Sequence, residues 1–274
     1  MPTSQSDKAT TFHALHRGPR AFVIANAWDA GSARALSALG FAALATSSGA
    51  QAGVLGRRDG AVTRDEALEH CRAVAAATEL PVSADLEKGF GDAPEAAAET
   101  IRLAGGVGLV GGSIEDATGD KQKPLYDSGH ATERVAAAVQ AARALPFPFT
   151  LTARAEGFIR GNPNLDDVIK RLQAFERAGA DVLMAPGLPD LAAVRAVCGA
   201  LGKPFNFMVG IKGKSFTVAE LEAAGVRRIS LATSLYRAAM TGMLEAAREV
   251  RDKGSFGYLD RSIATPEWNA FMQG

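Results

Sequence analysis

Eight times along this chain a short apolar segment is closed by small or polar residues and followed by a longer stretch with helical spacing. The segments are 22–27, 42–47, 81–87, 107–115, 149–155, 181–185, 204–209 and 228–233. They are apolar without clean alternation, as expected of strands covered on both faces of a parallel sheet. Between them, 63–79 places Ala67, Leu68, Cys71, Val74 and Ala75 near a 3.6-residue period, and Thr63 with Glu66 fits a capping box. The stretches 166–178 and 217–224 read in the same way. Glycines such as Gly40, Gly179 and Gly225 then turn the chain back towards the next strand. Strand–helix alternation repeated eight times predicts an α/β fold, a closed (β/α)8 TIM barrel. An open doubly wound sheet is the competing arrangement, but no G-x-G-x-x-G follows the first strand.

One barrel accounts for the whole length: a single domain over 1–274, with an N-terminal helix in 1–20 closing the barrel floor, the barrel in 21–250 and a helical extension in 251–274. The extension carries Phe256, Tyr258, Trp268 and Phe271, too many aromatics for a solvated tail, so it is expected to dock on the barrel or on a neighbouring subunit. Apolar residues make up 47% of the chain, enough for a large core. Lys+Arg and Asp+Glu are 30 each, so no general field exists for nucleic acid or an anionic membrane. The N-terminal stretch has no apolar core of a signal peptide, and no run approaches the ~20 apolar residues of a membrane span. With only Cys71 and Cys198, far apart and both in helical patterns, a reduced cytoplasmic protein is expected.

In such a barrel the chemistry sits at the C-terminal strand ends, and the polar residues collect there. Strand one ends in Asn26, Trp28 and Asp29; strand two in Thr46, Ser47, Ser48 and Gly49; strand three in Asp85 and Glu87; strand four in Glu115 and Asp116; strand five in Arg154 and Glu156. Arg57, Arg58 and Asp59 follow strand two. Asp85 and Glu87, two apart on a strand, point the same way, and Glu115 comes from the next strand. Either a hard cation, Mg²⁺ or Mn²⁺, sits among these carboxylates, or they pair with Arg154 and Lys88. Arg154 suits a substrate carboxylate or a structural bridge to Glu115 or Glu156. The Thr-Ser-Ser-Gly turn offers hydroxyl and N–H donors to an anion, or is a plain turn. His13, His16, His70 and His130 fall mostly on helices and read as packing or surface residues.

Residues 26–34 (Asn-Ala-Trp-Asp-Ala-Gly-Ser-Ala-Arg), the Ser-Ser-Gly turn, 55–59 (Leu-Gly-Arg-Arg-Asp) and 84–92 (Ala-Asp-Leu-Glu-Lys-Gly-Phe-Gly-Asp) resemble the isocitrate lyase/phosphoenolpyruvate mutase superfamily. So do 113–116 (Ser-Ile-Glu-Asp) and 152–158 (Thr-Ala-Arg-Ala-Glu-Gly-Phe), in order from about Phe22 to Arg237. The resemblance implies Mg²⁺ held around Asp85, Glu87 and Glu115, partly through water. It implies a substrate carboxylate on Ser47, Ser48 and Gly49, with Trp28 and Asp85 also at the substrate. Arg154, Asp59 and Glu115 would act at the reacting bond. It further implies an enolate-like pyruvate intermediate, and a homotetramer, a dimer of dimers exchanging its C-terminal helix.

The chain also departs from that pattern. Lyases of the superfamily carry a Lys-x-Cys-Gly-His type loop after strand four, whose cysteine is the catalytic acid. The stretch 118–127 here has neither that cysteine nor the mutases' Asn-Ser pair. Glu87 stands where many members have Asp, and 184–190 has no His where the mutases do. The leading expectation is a Mg²⁺-dependent carbon–carbon lyase that cleaves or decarboxylates a small 2-oxo or 2-hydroxy acid, oxaloacetate- or methylisocitrate-like. The alternatives are phosphorus–carbon chemistry, with Lys121 and Lys123 as phosphate donors, and a 2-oxo-acid-binding protein with little turnover. The loop itself has the polar, Gly-containing composition of a lid.

Overall fold

All eight expected strands form in the computed structural model, which describes residues 3–273; residues 1, 2 and 274 of the expected domain lie outside the described residues. They are β1 (Phe22–Asn26), β2 (Leu44–Ala45), β3 (Val82–Asp85), β4 (Gly111–Glu115), β5 (Thr150–Arg154), β6 (Val182–Met184), β7 (Phe205–Met208) and β8 (Arg228–Ser230). Each pairs in parallel with the next and β8 returns to β1, so the sheet is a closed (β/α)8 TIM barrel rather than an open one. The strands are shorter than the apolar segments that foretold them. Val107 and Leu109, for example, are buried by packing of the preceding helix, with Gly108 at φ +93° turning the chain before β4 begins.

The helices keep the expected chemistry. Thr63 caps Arg64–Ala76 with a reciprocal Glu66 bond, and Thr217 caps Val218–Ala223 with Glu220. Such a cap is worth about 1 kcal/mol. Asp29 and Ser32 form a third box, at the start of Ala30–Ala38, which fixes the chain leaving β1.

The N-terminal helix Gln5–Leu15 covers the barrel floor as expected. Its Phe12 is fully buried against Ile24, Ala43, Ala45 and Val110, at the lower end of the strands. Gly111 makes this possible: a Cβ there would stand 2.7 Å from the Phe12 ring and 2.9 Å from the Thr150 carbonyl. Gln5 Nε2 ties the helix down by donating to the carbonyls of Gly105 (2.8 Å) and Leu109 (2.9 Å).

At the other end of the chain the helix Ser234–Lys253 buries no residue, and the turns Gly257–Arg261 and Thr265–Phe271 bury none either. The segment after that helix meets the barrel where Arg34 Nη1 donates to the Met272 carbonyl at 2.5 Å and Trp268 lies beside Gly31. Phe256 and Leu259 are each 59% exposed.

Phe12→Ala is expected to cost about 3–5 kcal/mol of stability, the usual figure for emptying a buried aromatic site. A urea unfolding curve measures it, and a loss under 1 kcal/mol would mean that the helix is not part of the cooperative fold.

Candidate active site

Parallel register sets Glu115 of β4 directly beside Arg154 of β5, and Asp85 of β3 beside Ser113 of β4. Thr150, Thr152 and Arg154 alternate with the outward-facing Leu151 and Ala153, so Arg154 points into the barrel mouth. There it meets three carboxylates. Its Nη1 is 2.7 Å from Asp85 Oδ1, while Nη2 is 3.0 Å from Glu115 Oε2 and 2.9 Å from Glu156 Oε1. Arg160 adds a weaker contact, with Nη2 3.3 Å from Glu115 Oε1. Two of the three carboxylates set around a cation from sequence spacing, Asp85 and Glu115, thus meet a guanidinium, with Glu156 and not Glu87 as the third. Among the described residues no three His, Cys, Asp or Glu side chains form a ready metal cage.

Each carboxylate answers differently to this arrangement. Burial disfavours the charge of Asp85, but Arg154 and the two Ser48 donors outweigh it and hold Asp85 below the usual carboxylate range. Burial, then the neighbouring Glu156 charge, pushes Glu115 well up in spite of Arg154. Glu87 is pushed up to about 7, by burial first and then by the charges of Asp85 and Asp59.

Glu87 reaches this place by a route other than the one expected. The strand ends at Asp85, Leu86 turns into the core, and Glu87 sits at φ +50°, so the same-face rule for residues two apart does not apply. It still lines the cavity because the loop after it is gripped from outside. Buried Arg134, from the helix Ser128–Arg143, donates to the carbonyls of Lys88, Gly91 (2.8 Å), Asp92 and Ala93 (3.2 Å). Lys88 does not pair with the strand-end carboxylates; its Nζ binds Asp92 (2.6 Å) and the Thr118 carbonyl (2.7 Å).

Ser47 caps the helix Ser48–Val54. Ser48 donates through its N–H (3.2 Å) and its hydroxyl (2.9 Å) to Asp85 Oδ2. Gly49 has no room for a side chain: a Cβ would stand 2.9 Å from Thr233 and 3.3 Å from Asp59 Oδ2. Ser47, Ser48, Gly49, Asp59, Asp85, Glu87, Glu115 and Arg154 therefore face one cavity of about 790 Å³. Trp28 is not on its wall; it packs edge-to-face on Tyr236, and His70 bonds its carbonyl.

The cavity also takes in Glu156 and Arg160, absent from the expected site. Sequence reading offers Glu156 only as a bridge partner of Arg154, and that bridge forms at 2.9 Å, as does the one to Glu115 at 3.0 Å. The segment 118–127 is ordered at its base: Ala117 bridges Leu125, and the Tyr126 hydroxyl donates to Asp92 Oδ1 at 2.5 Å. Lys123 pairs outward with Asp127 and does not line the cavity, nor does Lys121.

The family model described as phosphoenolpyruvate phosphomutase matches residues 12–251. The chain belongs to the isocitrate lyase/phosphoenolpyruvate mutase superfamily. It is an enzyme of that superfamily's lyase/mutase type. A candidate lyase/mutase from Burkholderia cenocepacia J2315 superposes with TM-score 0.97 at 50% identity, covering 98% of both chains. The 2-methylisocitrate lyase of Escherichia coli K12 is 30% identical over 217 residues, 76% of this chain and 72% of that one. An oxaloacetate decarboxylase from Ectopseudomonas mendocina is 28% identical over 255 residues, 90% of this chain and 86% of that one. This superfamily member differs from the loop-cysteine lyases in its thiols. Cys71 and Cys198 both lie on helices, and burial pushes them up to about 12 and about 11.

Two outcomes follow from these titrations. Glu87 ionises less readily in the fold than in the unfolded chain. Its contribution to stability is complete below the ordinary glutamate value and is lost as pH rises to about 7. Thermal melts of metal-free protein should therefore fall across that window, and Glu87→Gln should flatten the fall; an unchanged slope would contradict the assignment. Maleimide labelling should be slow at both cysteines and indifferent to carboxylate ligands. Rapid labelling that oxaloacetate blocks would place a thiol in the cavity.

Proposed function

We propose that this protein is a Mg²⁺-dependent lyase that cleaves or decarboxylates a small 2-oxo or 2-hydroxy carboxylic acid through an enolpyruvate-type intermediate. The observation that carries the reading is Arg154, held at three carboxylates on the wall of the cavity that Ser48 and Gly49 also line. Five carboxylates (Asp59, Asp85, Glu87, Glu115, Glu156) line that wall against Lys88, Arg154 and Arg160, a formal excess of two negative charges. That excess, made of oxygen donors alone, suits a divalent hard cation such as Mg²⁺ or Mn²⁺. Mg²⁺ keeps several waters and needs only one or two carboxylates, so the missing ready-made cage does not count against it. Asp85, Glu87 and Glu115 would hold it, partly through water; when bound, it supplies Lewis-acid polarisation of substrate oxygens.

The chain's own groups do the rest. Ser47, Ser48 and Gly49 offer hydroxyl and backbone N–H donors to a substrate carboxylate. Arg154, fixed in direction by its carboxylates, sets guanidinium donors where enolate charge develops; one positioned donor of this kind is worth roughly 3–4 kcal/mol. Asp59, lying against Gly49, is the acid/base group beside that position. The loop cysteine is the acid of the cleaving lyases, so without it the proton for the enolate falls to another group, Asp59; decarboxylation, unlike cleavage, needs no substrate hydroxyl to be deprotonated as well. Phosphorus–carbon chemistry is compatible with the phosphoenolpyruvate phosphomutase family model but gains nothing from Lys121 and Lys123, which stay off the cavity wall. We place the enzyme in the cytoplasm on its two unpaired cysteines.

The test is oxaloacetate with Mg²⁺, following pyruvate. Turnover should need the metal, disappear in Asp85→Ala, and fall at least tenfold in Arg154→Lys, about 1.4 kcal/mol or more of transition-state stabilisation. Oxaloacetate that binds and comes back unchanged would overturn the reading.

We also infer a homo-oligomer, a tetramer by analogy with the superfamily, in which the segment 251–274 rests on a neighbouring copy. The support is its exposed Phe256, Leu259, Ile263 and Trp268 and the unburied helix before it. Removing 251–274 should lower the mass seen by light scattering; an unchanged mass would refute the role.

A further inference from the structure

A buried charge without an opposite partner is costly, and folded proteins answer it with a counter-ion or a dense set of dipoles. Arg134, Arg154, Arg171 and Arg228 are all buried here. Arg154 has its three carboxylates, and Arg171 has Asp116 (3.2 Å) and Asp167 (3.0 Å). Arg134 has four carbonyl oxygens and the face of Tyr126.

Among the described residues Arg228 has nothing comparable. It opens β8 and faces the lumen, between the floor and the strand ends. Its Nε donates to Asn206 Oδ1 (2.8 Å) and its Nη2 to Thr152 Oγ1 (2.8 Å), while Nη1 stands 3.4 Å from His16 Nε2. His16 is neutral: burial, then Arg228 itself, pushes it down to about 3, and its Nδ1 bonds the Phe12 carbonyl. All three partners are thus uncharged. Burial alone pushes Arg228 down to about 9, with no carboxylate acting against it. It remains a cation at neutral pH, with guanidinium N–H groups left over.

Arg228 lines a cavity of about 60 Å³ together with Asn26, Ser83, Asp85, Ser113, Arg154 and Ser230. Branched aliphatic side chains normally fill this level of a barrel. A single water occupies roughly 10–15 Å³ on this measure, so the space takes one small anion with a few waters and is too small for a dicarboxylate. It has an entrance, because Asp85, Arg154, Met208 and Ala232 line both this space and the substrate cavity. Water alone would solvate Arg228 without neutralising it.

We infer that the barrel lumen holds a small inorganic monovalent anion, such as chloride, between the free N–H groups of Arg228 and the serine hydroxyls. The inference is independent of the reaction assigned to the mouth above.

Crystals of the full chain grown in sodium bromide should show an anomalous peak beside the Arg228 guanidinium. In solution, replacing gluconate by chloride at constant ionic strength should raise the melting temperature saturably. The rise should be about 2–4 °C when chloride reaches roughly fivefold its dissociation constant. Arg228→Met should abolish this dependence; if that variant does not fold, the bromide crystal of the unaltered protein decides alone. No peak beside Arg228, together with equal melting in the two salts, would show that the lumen holds water only and would overturn the site.

Discussion

The site depends on one guanidinium. Arg154 is buried at the junction of β3, β4 and β5, and the three carboxylates it holds come from different places in the chain. Without it, Asp85, Glu115 and Glu156 would face one another in a desolvated mouth, at a cost that neighbouring backbone could not offset. With it, they are fixed in direction and yet collectively under-neutralised. Asp85 stays ionised while Glu115 is driven towards its neutral form, so chemically similar groups are set to different states by position alone.

The loop after β3 is the second requirement. Glu87 and Phe90 both adopt left-handed backbone, at φ +50° and +59°, which is unfavourable for side chains of this kind. The Arg134 bonds to four successive-region carbonyls over-determine that path, and Tyr126 links the same cluster to the segment after β4. Rigidity at the base of this loop lets Asp85, at the end of the four-residue strand Val82–Asp85, and Glu87, beyond it, face one cavity.

The barrel interior carries a further consequence. Its lower layer is closed by Phe12, but the level above contains Asn26, Thr152, Asn206, Arg228 and Ser230 beside Ile24 and Met184. Polar groups at that depth must be satisfied by one another or by a guest, because the closed sheet leaves their backbone no partner to spare.

Periodicity and strand-end chemistry were enough to determine the architecture: eight apolar segments, the capping box at Thr63, and a helix over the floor. The candidate acids, Arg154 and the Ser47–Gly49 turn were legible for the same reason, since barrel function concentrates where strands end. Pairing was not legible. Sequence spacing could not choose between a metal and Arg154 as the cation among the carboxylates, because both satisfy the same local charge. Nor could it show that Glu87 leaves the strand or that Trp28 turns to Tyr236. Those depend on contacts between residues tens of positions apart, such as Arg134 with Lys88 and Arg154 with Asp85, which only closure of the barrel brings within hydrogen-bond range.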